Sequence, residues 1–115
     1  MTAAAPVSSQ PLTRRSAVAL AAAIRAGEVT AREVVEEHIE VLRAAQPRTR
    51  ALAVDRFETA LAEADEADAT QPAGPLHGVP CTIKESFAVA GMPNCAGLVA
   101  RRDHRAGQDA PAVAR

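Results

Sequence analysis

A chain that mixes helix with strand is what this sequence predicts, and three observations carry the prediction. Apolar residues recur at helical spacing through residues 13–26 and 31–45. Thr30 and Glu33 stand at the spacing of a capping box. Val79, Cys81 and Ile83 alternate with Pro80, Thr82 and Lys84 at the period of a strand, between glycines and prolines that forbid helix.

Taken in order, residues 1–12 are expected to be a flexible tail. The stretch "TRRSAVALAAAIRAG" has the twin arginine and apolar run of an export signal. Arg25 interrupts that run, and Ala17, Leu20, Ala21 and Ile24 fall at i, i+3, i+4, i+7, so residues 13–26 are read as an amphipathic helix ended by Gly27. A second helix starts after Thr30 and runs over 31–45, with Val34, His38, Val41, Leu42 and Ala45 on one face and Pro47 beyond its end. His38 on that face reads as a packed side chain. Residues 51–54 are expected to form a short strand, and Phe57, Ala60, Leu61 and Ala64 mark a third helix that fades into "EADEAD", an acidic run read as a solvated face. Turn residues at Gly91, Pro93 and Gly97 predict irregular backbone after the strand at 79–84.

Composition narrows the function. Thirteen basic residues against 14 acidic give a net charge of −1, which offers no electrostatic reason for a nucleic-acid partner or an anionic membrane. No run approaches the ~18 apolar residues of a membrane span. The chain is therefore expected to be soluble and cytoplasmic. Alanine takes 28 of the 115 residues and the aromatic residues are two phenylalanines, so a core made by this chain alone would be thin. Cys81 and Cys95, with no second pair and no histidines at ligand spacing, suggest neither a zinc site nor a disulfide framework. Lys84, last in its strand pattern, is on its own terms the first solvated residue of a strand end.

A resemblance takes the reading further. "GPLHGVPCTIKE", "VAGMPNCAGL" and "DAPAVAR", preceded by "IRAGEVTAREVVEEHIE", resemble the N-terminal part of the amidase signature family. Glu85 after the lysine, and Leu98 after the later glycine, resemble its fatty-acid amide hydrolase-like branch; Cys95 and Ala96 stand where that branch often shows serines. The resemblance implies an α/β fold, a mixed β-sheet wrapped by helices, and amide hydrolysis by a Ser, cis-Ser, Lys triad without cofactor or metal. Lys84 matches the family's catalytic lysine, the base that would relay the nucleophile's proton and return one to the leaving amine. A small-molecule amide is the implied substrate, and a homodimer is compatible with it.

The two serines of that triad come, in the family, from a Gly/Ser-rich segment after the lysine, and residues 87–115 hold no serine. Ser8, Ser9 and Ser16 lie early in the chain; Ser86 would share a strand face with Lys84, but no flanking glycines offer oxyanion donors. His77 and His104 match no triad position and read as solvated loop residues. Asp109, Ala110 and Pro111 open a helix that has barely one turn before Arg115. Residues 13–115 are accordingly expected to be the N-terminal portion of an amidase domain whose remainder is absent. Two alternatives stand beside this: the A-type component of a tRNA-dependent amidotransferase, and a non-catalytic module that binds a partner through its exposed helices.

Overall fold

The computed structural model describes residues 9–115, so the first eight positions of the expected tail lie outside the described residues. The chain divides into two compact units, one running to Ala51 and taking in Asp55–Pro80, the other made of Leu52–Val54 and Cys81–Arg115. Among the described residues there are helices and no strands, only an isolated antiparallel bridge between Pro93 and Arg105. No helix is long and apolar enough to cross a membrane among these residues.

The first unit is built on α1 (Ala17–Arg25), α2 (Ala31–Thr49) and α3 (Phe57–Ala69). Helix α1 starts at Ala17, where the apolar spacing itself begins, and not at the expected residue 13, because the Ser16 hydroxyl accepts the Ala19 N–H at 3.1 Å and sets the N-cap there. A separate 3-10 turn, Leu12–Arg14, precedes it, and the Thr13 N–H donates to the Glu37 carboxylate at 3.3 Å. Leu20 and Ala21 are buried as expected and Ile24 packs against the core, whereas Ala17 is exposed and Ala23 is buried in addition. Gly27 at φ +71° ends the helix: its N–H bonds the Ile24 carbonyl and the Glu28 N–H bonds that of Ala23, the paired bonds of a Schellman stop.

Helix α2 has the predicted capping box, with the Glu33 N–H on the Thr30 hydroxyl at 3.0 Å and the Thr30 N–H on the Glu33 carboxylate at 2.8 Å. It does not stop before Pro47. The helix carries the proline in its last turn, where the missing N–H costs one bond and the Thr49 hydroxyl to the Ala45 carbonyl and the Arg50 N–H to that of Gln46 close the end. Ala31, Val34, Val35 and Ile39 are buried, whereas Val41, expected on the core face, is half exposed. Ala31, Val35 and Ile39 pack with Ala64 of α3, and Ile24, Phe57, Ala60, Leu61 and Ala67 close around them. The small alanines let the helices approach closely, at the expense of the apolar area that larger side chains would bury.

The acidic run is more than a solvated face. The Asp68 carboxylate accepts the Ala31 and Arg32 N–H groups at 2.7 and 3.0 Å, capping the first turn of α2 from the last turn of α3, and Asp65 pairs with Arg32 at 2.9 Å. The exposed Arg32–Asp65 pair contributes little, at most about 1 kcal/mol. Asp68 matters more, because it satisfies two N–H groups that the helix itself leaves without partners. Asp68→Ala is expected to destabilise the first unit by about 1–2 kcal/mol, the usual cost of a lost N-terminal cap, read as a lower urea midpoint with an unchanged slope; an unchanged midpoint would show the cap to be redundant.

The second unit is irregular. Residues 51–54, expected as a strand, form none; Ala53 and Val54 make a bend. A 3-10 turn covers Val99–Arg101, and α4 is the single turn Pro111–Ala114, opened by proline as expected. Its N-cap is Ala110 and not Asp109; the Asp109 carboxylate instead accepts the Ala90 N–H at 2.7 Å, and the Ala110 N–H bonds the Ala88 carbonyl.

Candidate active site

The segment that leads to Lys84 is anchored first within the helical unit. Gly74 and Gly78 take φ of +115° and +78°, and the Leu76 carbonyl accepts the Val79 N–H at 3.0 Å. A Cβ on Gly78 would come within 2.9 Å of the Ala31 Cβ and 3.2 Å of Ile24 Cδ1, so this turn lies directly on the start of α2. Arg25 donates to the Gly74 carbonyl at 2.8 Å. His77 is not simply solvated: its Nδ1 accepts the Ala73 N–H at 3.2 Å, which makes Nε2 the protonated nitrogen, donating to the Ala67 carbonyl at 2.9 Å. Both ring nitrogens are thereby committed to structure. His38 is likewise bonded, through Nδ1, to the Val34 carbonyl at 2.7 Å. An open recess of about 300 Å³ beside His77 is lined by Arg25, Asp68, Thr70 and Gln71 among others, and holds neither Lys84 nor a serine.

In the second unit, Lys84 is exposed, as is Cys81, while Ser86 lies in the turn that follows; Lys84 is the only lysine in the sequence. The expected strand at 79–84 is absent because period-2 alternation makes a strand only where a partner accepts its ladder bonds: among the described residues the N–H groups of Cys81, Thr82, Ile83 and Lys84 reach no backbone carbonyl. The chain then turns, with the Phe87 N–H on the Lys84 carbonyl at 2.9 Å and Ser86 inside the turn. Strand parity therefore does not align Ser86 with Lys84.

Glu85 is the residue that sequence reasoning left as a branch marker and the structure uses. Its carboxylate receives the backbone N–H groups of both Cys95 and Ala96, the latter at 2.8 Å, and its carbonyl receives the Asn94 side-chain amide at 2.8 Å. Ala96 and Gly97 sit at φ +50° and +75°, and this left-handed pair follows consecutive N–H groups turned toward one point, a nest for an anion. The stronger bonds come from the main chain, and the Cys95 thiol adds a smaller side-chain contribution. They favour its ionised form and hold its pKa below the usual carboxylate range, the Cys95 N–H first. The nest is braced by Gly91 and Met92 bonding to Ala106, which is buried, by the Asn94 N–H on the His104 carbonyl, and by Arg105 on the Gly91 carbonyl. His104 contributes only its backbone there. A glutamate nine residues ahead of an Asn-Cys-Ala-Gly turn was the signal available in the sequence.

Among the described residues no three His, Cys, Asp or Glu side chains converge as a metal would require. Compared with known proteins, residues 33–115 match a family profile described as Amidase. Fatty-acid amide hydrolase 2-A of Danio rerio is 42% identical over 120 residues, covering 95% of this chain and 23% of the relative. Indoleacetamide hydrolase of Bradyrhizobium diazoefficiens is 45% identical over 107 residues, 90% of this chain and 20% of the relative. Fatty-acid amide hydrolase 2 of Homo sapiens is 38% identical over 117 residues, 92% and 22% respectively. The chain spans about a fifth of the length of these curated relatives.

Proposed function

This chain belongs to the amidase family, and from that premise we propose that it serves amide hydrolysis, with Lys84 as the base of a Ser, cis-Ser, Lys triad. What carries the reading is that the family match runs through the segment holding the sole lysine. A lysine works as a base only when its amine is neutral, and an ordinary lysine has a pKa near ~10.4. Burial can lower that by up to ~3–5 units. Lys84 is open to solvent in these residues, so its cover belongs to structure beyond them, as do the two serines. The same added structure would give residues 79–84 a ladder partner and make of them a strand of the α/β fold, in which the unbonded N–H groups at Cys81–Lys84 find carbonyls. The neutral amine would then take the nucleophile's proton through the second serine and return one to the leaving amine. The substrate class is a small-molecule amide.

Residues 1–115 alone are expected neither to hydrolyse amides nor to react with a serine-directed fluorophosphonate. Replacing the matching part of the Danio rerio relative by residues 1–115 should give a chimera that does both. Stoichiometric labelling of Ser86 in the 115-residue chain would overturn the assignment of the nucleophile to another segment.

A further inference from the structure

We propose that Glu85 is a positioning residue for Lys84, a lock that fixes the backbone from which the lysine side chain departs by seating its carboxylate on the Cys95 and Ala96 N–H groups. The inference rests on the reading of Lys84 as the base. Its physical content is local and independent of activity. Lys84 lies on a segment whose N–H groups from 81 to 84 have no backbone partner among the described residues, and its own main chain is held there by the single turn bond from the Phe87 N–H to its carbonyl. The next residue, by contrast, is tied at three points: two main-chain N–H groups on the carboxylate and the Asn94 amide on the carbonyl. A side chain adjacent to a fixed peptide inherits that fixing, whereas one on a free segment samples several directions, and a base displaced by about 1 Å can lose ~100-fold in rate.

The carboxylate is suited to this task in a way that its amide isostere is not. Two converging N–H groups need two acceptor sites on one group, and a glutamate supplies one oxygen to each. Glutamine has one oxygen to offer, and its NH2 would face the second N–H. Aspartate keeps the charge on a side chain one methylene shorter, so it reaches the nest only if the two segments draw together. The charged group that acts on the carboxylate is Arg101, whose guanidinium donates to the Asn94 carbonyl at 3.3 Å and favours the ionised form.

A pH dependence follows with a definite sign. The folded pKa of Glu85 is depressed, so the lock contributes fully above the ordinary glutamate value of ~4.3. It is lost as pH falls through the lower folded value.

The test uses 15N-labelled 115-residue protein. In the parent chain the backbone amides of Lys84, Cys95 and Ala96 should share one titration midpoint below the ordinary glutamate value. In Glu85→Gln that midpoint should disappear from all three, and the heteronuclear NOE at Lys84 should fall toward that of a free segment. Glu85→Asp should retain a common midpoint and recover part of the Lys84 order, a rescue that loss of packing alone would not give. If Glu85→Gln unfolds the second unit, the parent titration and the aspartate variant still decide. Cys95 and Ala96 amides without the midpoint, or a Lys84 NOE untouched by Glu85→Gln, would overturn the lock. The Lys84 reading fails on different data, the turnover of Lys84 variants.

Discussion

Lys84→Ala in the chimera is expected to cut amide turnover by ~100- to 10,000-fold or more, the range of a lost general base. The nucleophilic serine would be left at its own high pKa with no group to accept its proton. Because the residues of such a relay act as a unit, the loss can exceed the contribution of one proton transfer. KM should change little, since the lysine handles protons and does not hold the substrate. Within the described residues Lys84 contributes nothing to the core of either unit, so the part of the fold that they make should be retained as well. Circular dichroism and thermal melting of the variant would check this separately from activity.

Gly78→Ala is the substitution expected to damage the structure most. The residue adopts φ +78°, where a side chain costs roughly 1–2 kcal/mol. Its new Cβ would also stand 2.9 Å from the Cβ of Ala31, which is fully buried in the packing of α2 and so has nowhere to withdraw. Overpacking of that kind adds about 1–3 kcal/mol, giving a total of about 2–5 kcal/mol. Against a typical domain stability of ~5–15 kcal/mol, and with a core built largely of alanine, such a loss approaches unfolding. Gly27→Ala is the control. Gly27 has a similar φ of +71° but open space around it, so it should show the backbone cost alone, on the order of 1–2 kcal/mol. Equal losses for the two variants in urea denaturation would mean that the close approach to Ala31 relaxes freely.

How much was legible in the sequence depended on how local the cause was. The capping box of α2, the glycine stop of α1 and the proline start of α4 are fixed by residues within one turn of each other, and each is present in the structure. Other features depended on distant residues. Asp68 caps a helix that begins 37 residues earlier, which no spacing rule within "EADEAD" can reveal. Pro47 fell inside a helix because bonds around it close the last turn, although proline is a sound stop signal on average. Residues 79–84 have strand alternation but no partner among these residues, so the pattern by itself made no ladder. Lys84 was singled out by resemblance, since a lone exposed lysine has no physical mark of a base. Glu85 was missed as an anchor because its partners are main-chain N–H groups, which carry no side-chain signature.

The central claim, that the amine of Lys84 works by giving up and taking back a proton, is tested most directly by Lys84→Arg in the chimera. Arginine keeps the positive charge and much of the length of lysine, so contacts that need only a cation survive. Its guanidinium does not deprotonate in a protein. Turnover as low as that of Lys84→Ala, in a variant that melts with the parent, is the predicted result. Turnover close to that of the parent would contradict the claim and leave Lys84 a solvated residue of its segment.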